Sequence, residues 1–288
     1  MSEIDYTALK KGGFMRQVQK ERFSLRLRVV GGQVTASQIQ KISEIAEKYG
    51  HGYIHMTSRQ GIEIPFIALS DIDAVKEELS SVGLQPGACG PRVRTVTACQ
   101  GSSICPSGLI ETSDLAKELD ARYFGRELPH KFKIGITGCK NNCLKAEEND
   151  LGIKGGLFPE WESSLCTYCG LCEAVCPTAA IRVGRDSRTL SFDESACVFC
   201  GRCVKSCPTG AWEGKSGYLV SFGGMFGNEL QYGQRLLPIL FDKDQLFRAA
   251  DAAIAFFNEH GKASERFAVT IRRTGSEKLK KRLEEAVL

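Results

Sequence analysis

Residues 22–30, RFSLRLRVV, alternate basic or polar side chains with apolar ones, the period of two expected of a strand with one buried face. Thr35 and Ser37 are candidate caps for a helix running to about Tyr49, with Gly50 as its stop. Strands follow at about 52–57 and 62–67, and Asp71 can cap a helix that ends near Gly83. Strand, helix, strand, strand, helix makes a small α+β module on one sheet. Residues 84–92, LQPGACGPR, are rich in Gly and Pro and read as a linker or tight loop. Beyond them the pattern predicts a short strand at 93–98, a helix from about Pro106 to Tyr123, and a strand at 131–137. Near the C-terminus come a Gly-rich loop at 223–227 (GGMFG), a helix near 243–259, a strand at 266–272 and a last helix from about Ser276.

Between these stretches lies an internal repeat. In the region of 162–210, CTYCGLCEAVCPTAAI (166–181) and CVFCGRCVKSCPTGAW (197–212) align without gaps. Patterned α/β sequence stands on both sides, so the repeat interrupts a larger domain. Three units are expected: 1–84, then 85–160 continued by 215–288, with 161–214 inserted.

The 288 residues are 42% hydrophobic, enough for a sizeable core, and the net charge is +4. Such a weak balance argues against nucleic-acid binding but leaves room for a local basic pocket. No apolar run approaches the ~20 residues of a membrane span. The opening MSEIDYTALKKGG lacks the apolar core of a secretory leader. The 13 cysteines are therefore not read as secreted disulfides; their short spacings point to metal ligation in a reducing cytoplasm.

The repeat carries Cys166-x2-Cys169-x2-Cys172-x3-Cys176-Pro177 and Cys197-x2-Cys200-x2-Cys203-x3-Cys207-Pro208. That is the spacing of bacterial two-cluster ferredoxins, where the fourth cysteine of each run reaches the other cluster. Cys166, Cys169, Cys172 and Cys207 are expected on one [4Fe–4S] cluster, and Cys197, Cys200, Cys203 and Cys176 on the other. Zinc also accepts Cys-x2-Cys but needs no such four-cysteine run ending in proline. Two adjacent clusters make an electron wire and perform no bond chemistry.

Outside the repeat stand Cys99-x5-Cys105 and Cys139-x3-Cys143. Four thiolates in two pairs suit one more cubane, with zinc or another cluster as competitors. The surrounding stretches, TACQGSSICPSGL and ITGCKNNCLKAE, resemble the paired cluster motifs of the siroheme-containing sulfite and nitrite reductase superfamily. TSRQGIEI (57–64), RVRTVTAC (92–99) and LPHKFKI (128–134) resemble further segments of that family in the same order. With the ferredoxin repeat, the combination is nearest to the dissimilatory and anaerobic sulfite reductase branches.

The resemblance implies a ferredoxin-like half-domain followed by a siroheme and [4Fe–4S] domain. It implies that Cys99, Cys105, Cys139 and Cys143 hold a third cluster, with Cys143 also the axial ligand of the siroheme iron. It implies that Arg59, Arg94, Lys131 and Lys133 surround the substrate oxyanion, and that Gly223 and Gly224 allow close backbone approach to the cofactor.

Residue chemistry agrees with the cationic set. Arg offers planar two-point donation to an oxyanion and Lys a compact charge that can pass protons. Lys131 and Lys133, two apart on an expected strand, face the same side. The plainer alternative is a solvated strand face for the lysines and salt bridges for the arginines; Arg92 is a neighbour easily confused with Arg94. Siroheme carboxylates need further cations, for which Arg22, Arg26, Arg28, Lys140 and Lys145 are candidates. Cys89 is read as a buried structural thiol, and His130 as a possible proton relay beside Lys131.

The function implied is six-electron reduction of sulfite to sulfide. The rivals are nitrite reduction on the same scaffold and a non-catalytic electron-transfer subunit. No G-x-G-x-x-G fingerprint is present, so a low-potential donor protein, a ferredoxin or flavin subunit, is implied. Larger family members carry two copies of the module; the single copy here implies a homodimer, a hetero-oligomer, or a self-contained one-copy site.

Overall fold

The computed structural model describes residues 4–288; residues 1–3, the start of the first expected unit, lie outside the described residues. After α1 (Tyr6–Lys11), strands β1 (Phe14–Arg16), β2 (Arg22–Arg26), β3 (His55–Met56) and β4 (Ile62–Ala68) form an antiparallel sheet in the order β1-β2-β4-β3. Helices α2 (Ala36–Tyr49) and α3 (Ile72–Ser80) contribute Ile42, Ile45, Val75 and Leu79 to its buried face. The alternation in 22–30 does what its period requires: Phe23, Leu25, Leu27 and Val29 are all buried in that core. Thr35 starts α2 through a reciprocal capping box with Gln38. Asp71 makes no side-chain cap; a 3-10 turn, Leu69–Asp71, feeds α3 instead, which stops at Ser80 rather than near Gly83.

The larger sheet runs β11-β10-β7-β6-β5. It comprises β5 (Thr97–Ala98), β6 (Ile134–Thr137), β7 (Leu151–Trp161), β10 (Trp212–Phe222) and β11 (Gln234–Arg235). Pairing of β5 with β6 and of β6 with β7 is parallel, and β7 with β10 antiparallel. Its core unites Ile134, Ile136, Ile153, Val220 and Phe222 with helices α4 (Ser113–Tyr123), α7 (Lys243–His260), α8 (Phe267–Thr274) and α9 (Ser276–Val287).

Three local expectations are corrected. The strand expected at 266–272 is helix α8. Val269, Thr270 and Ile271 suggested a strand, yet Phe267, Ala268 and Ile271 repeat at helical spacing and bury one face. The helix expected from Pro106 begins only at Ser113. Backbone groups of the intervening segment are used elsewhere: Leu109 N–H donates to the Gly138 carbonyl, and Ser102 N–H to that of Ile110. That segment is a loop locked onto the cysteine turns. Of the strand expected at 93–98, only Thr97–Ala98 is regular.

Strands β7 and β10 pair along their whole length, from Leu151 opposite Phe222 to Trp161 opposite Trp212. Their outer ends carry residues 162–211 as a unit of α5 (Leu171–Ala174), the hairpin β8 (Ile181–Gly184) and β9 (Thr189–Phe192), and α6 (Arg202–Ser206). Its small core is Cys172, Ile181, Cys203 and Trp212.

Candidate cofactor and oxyanion site

Parallel strands β5 and β6 end side by side, so the turns that follow them bring Cys99 and Cys139 together. Cys99, Cys105, Cys139 and Cys143 line one cavity of about 930 Å³. The Gly138 N–H donates to Cys99 Sγ at 3.0 Å. Gln60 braces the wall from the other module: its Nε2 donates to the Ala98 carbonyl at 2.9 Å and its Oε1 accepts from the Ala98 N–H at 3.0 Å.

Arg59, Arg94, Lys131 and Lys133, from three separate segments, line a second cavity of about 250 Å³ together with Arg26. Arg59 sits in the turn joining β3 to β4. Its Nη1 donates to Asn149 Oδ1 at 2.7 Å and its Nη2 to the Thr95 carbonyl at 3.3 Å. Burial holds this guanidinium down to about 10. Arg94 is tied to the Ala88 and Gly90 carbonyls, each at 2.9 Å, while its Nε is buried with no partner among the described residues. Of the strand expected at 131–137, the regular part begins at Ile134; Lys131 and Lys133 precede it and flank the fully buried Phe132. Burial, with Arg59 and Arg266 adding repulsion, pushes Lys133 down to about 8; burial and nearby cations lower Lys131 and His130 as well.

A third cavity, again of about 250 Å³, joins the other two. It shares Ser58, Arg59 and Lys133 with the cationic cavity, and Gln60 and Cys143 with the cysteine cavity. Lys145, Asn149 and the exposed Phe226 complete its wall. A trough thus runs from four thiols, past Cys143, to a cluster of cations.

The main residue that sequence reasoning missed is Asp150. It is fully buried and accepts from Arg266 Nη2 at 3.1 Å on both oxygens and from the Lys133 N–H at 2.8 Å. Burial raises its carboxyl above the ordinary range, while Arg266 and the amide pull against that rise. Its one signal was an acid directly preceding the apolar run of β7. Other expectations fall elsewhere. Gly223 and Gly224 line none of the three cavities; a Cβ on Gly224 would lie 2.1 Å from the Glu147 carbonyl oxygen, so its need is backbone packing. Arg28 pairs with Asp120 at 2.7 Å and Arg22 donates to the Phe66 carbonyl at 2.9 Å, away from the trough. Arg26 lines it but also pairs with Glu63. Cys89 is buried, with Arg26 Nη1 3.4 Å from its sulfur.

In the repeat, Cys166, Cys169, Cys172 and Cys207 line one small cavity, and Cys176, Cys197, Cys200 and Cys203 another. Each set mixes three cysteines of one run with the fourth of the other. Among the described residues no three His, Cys, Asp or Glu side chains converge tightly enough to hold a single metal ion.

Residues 15–82 match the nitrite/sulfite reductase ferredoxin-like half domain, and residues 89–287 the nitrite and sulphite reductase 4Fe-4S domain. The chain is 36% identical over 247 residues to the coenzyme F420-dependent sulfite reductase of Methanocaldococcus jannaschii, covering 85% of this chain and 39% of that protein. It is 31% identical over 279 residues to an uncharacterized protein of the same organism, covering 97% of this chain and 96% of the other. The fold superposes on the crystal structure of dissimilatory sulfite reductase I with a TM-score of 0.74 at 21% identity, covering 91% of this chain and 69% of that one. The chain spans about two fifths of the first relative and nearly all of the second. From these matches and the cysteine cavity, the chain belongs to the nitrite and sulfite reductase family of oxidoreductases, which bind a [4Fe–4S] cluster.

Proposed function

We propose that this protein is a siroheme-dependent sulfite reductase that takes sulfite to sulfide with electrons relayed through three [4Fe–4S] clusters. The observation that carries the proposal is the trough bounded by Cys143 at one end and by Arg59 and Lys133 at the other. A macrocycle rich in carboxylates fits two joined cavities, one with Arg26, Arg59 and Lys133 on its walls and one with Arg59, Lys133 and Lys145, and a buried, unpartnered Arg94 Nε fits a site that expects an acceptor. When bound, siroheme would supply a redox-active iron that passes electrons to the substrate.

The chain's own residues do the rest. Cys99, Cys105, Cys139 and Cys143 would hold the adjoining cluster, with Cys143 on the wall shared with the connecting cavity. Arg59 and Arg94 bind the anion and fix its orientation. Lys131 and Lys133 stabilise charge that grows on departing oxygens and pass protons to them; a lysine held near 8 gives up a proton far more readily than one in water. Asp150 positions Lys133 through its backbone N–H and pairs with Arg266. Residues 162–211 act as a two-cluster ferredoxin insert, loaded by a low-potential donor protein.

Because one chain supplies both Cys143 and the cations to one cavity, the geometry favours a self-contained site, in homodimers or beside other subunits alike. Nitrite reduction is the second reading, favoured by the family's double substrate range. Comparison of kcat/KM for sulfite and nitrite on anaerobically purified protein tests the assignment. A higher value for sulfite is expected; a higher value for nitrite reassigns the substrate, and no turnover of either leaves only an electron-transfer subunit.

A further inference from the structure

The two halves of the repeat place matching donors on matching sulfurs. Tyr168 N–H donates to Cys166 Sγ at 3.4 Å, and its counterpart Phe199 N–H to Cys197 Sγ at 3.3 Å. Gly170 and Gly201, also counterparts, share a left-handed conformation, with φ of 80° and 68°. The halves then differ in their surroundings, Arg202 lining the second cavity where the first has its counterpart Leu171. Arg185 lies over Gly170, its Nη2 only 2.8 Å from where a Cβ would stand, whereas over Gly201 lies Leu157. Trp212 lines the cavity of Cys166, Cys169, Cys172 and Cys207; its counterpart in the other cavity is Ile181.

Trp212 is 3% exposed and packs with Cys172 in the core of the unit. Its Nε1 is buried with no hydrogen-bond partner among the described residues. A buried donor left unpaired is costly, so a cavity that retains one is built for an acceptor. The sulfides and thiolates of a cubane are acceptors of that kind. The Ile181 cavity has no indole; its polar liners besides cysteine are Thr178 and the exposed Arg202.

We infer that the two clusters of the insert are electrically inequivalent, with the higher reduction potential at Cys166, Cys169, Cys172 and Cys207, because the buried Trp212 N–H stabilises the added electron there, while the guanidiniums near the two cavities, Arg185 and Arg202, are both exposed and offset one another. The inference rests on the ferredoxin reading of the insert given above. Each cluster takes one electron from the donor protein and becomes more negative by one charge; hydrogen bonds to sulfur and nearby cations favour that reduced form. The Trp212 cavity lies at the outer end of the β7–β10 pair. The other cavity lies inward, where Leu157 pairs with Cys200 and Lys205 Nζ donates at 3.3 Å to the carbonyl of Pro106, the residue after Cys105. A first electron therefore rests on the outer cluster and a second completes the wire inward.

The test is a redox titration of the anaerobically purified full chain, monitored by electron paramagnetic resonance with dithionite as reductant. Trp212→Phe is expected to weaken reduction of one ferredoxin-type cluster about tenfold, or 59 mV for a one-electron couple, and to leave the other in place. Trp212→Leu is expected to move the same step in the same direction. Steps that stay put in both variants, or move together, overturn the inference while leaving the ferredoxin reading intact. Iron and sulfide counts that exclude cubanes in the insert overturn both. Should Trp212→Phe assemble poorly, Trp161→Phe protein grown with ¹⁵N-indole, in which Trp212 carries the one label, still decides: a ¹⁵N hyperfine coupling on the more easily reduced cluster is expected, and its absence refutes the role of Trp212.

Discussion

Lys133 gives the trough a pH dependence of defined sign. Its ammonium is held to about 8 by burial, by Arg59 and by Arg266, against an ordinary 10.5. The charge that attracts an anion is therefore about 90% present at pH 7 and about 10% present at pH 9. If the bound anion needs that charge, affinity falls by roughly tenfold between those two values. Nitrite is the cleaner probe, because its own charge is constant over the window while sulfite titrates near neutrality. Binding is read from the visible spectrum of the anaerobic protein or by calorimetry. Lys133→Met is expected to bind more weakly at pH 7 and to lose most of the decline above pH 8. A decline of unchanged size and midpoint in Lys133→Met would refute the reasoning, since the titrating group would then lie elsewhere. The same group affects folding with the opposite emphasis. The native state binds fewer protons than the unfolded chain between pH 8 and 10.5, so the Lys133 contribution to stability rises with pH across that window.

Other outcomes follow from single contacts. Asp150→Asn leaves Arg266, whose side chain is 11% exposed, without its ion-pair partner; a loss of about 3 kcal/mol is expected, seen as a fall in Tm on the order of 10 °C by calorimetry. Arg59→Ala removes a charge-assisted donor from both small cavities and is expected to weaken anion binding on the order of 30-fold, with near-normal cluster content. Gly155→Ala would put a Cβ 2.2 Å from the Gly138 carbonyl oxygen, which is backbone and can yield only by moving Cys139; overpacking of about 1–3 kcal/mol and loss of one cluster's iron are expected, with the insert clusters retained.

The legible parts of this molecule were those in which one residue type does one job at a fixed spacing. Alternation in 22–30 located β2 and its buried face, and Thr35 with Gln38 located the start of α2. The two cysteine runs foreshadowed the mixed quartets that line the insert cavities. The longest strands, β7 and β10, escaped because Gly152, Gly155, Gly156, Gly214 and Gly217 erase their hydrophobic pattern. Those glycines are required by close approach: a Cβ on Gly152 would meet the Ala146 carbonyl oxygen at 2.3 Å. Helix α8 escaped because β-branched residues occupy a helix held by tertiary burial. In the trough, Arg59, Lys131 and Lys133 were identified one by one, yet the buried Asp150–Arg266 pair behind them joins residues 116 apart that no local pattern connects. The glycines of GGMFG were given a cofactor-facing role that their packing does not require, while Phe226 of the same loop lines the trough.

The most direct test is the cofactor content of protein purified without oxygen: acid-extractable tetrapyrrole together with total iron and acid-labile sulfide. One siroheme and about thirteen irons per chain are expected, from three four-iron clusters and one macrocyclic iron. Protein that carries its full complement of cubane iron and sulfide but yields no tetrapyrrole would contradict the assignment of Cys143 and the cationic trough to sulfite reduction.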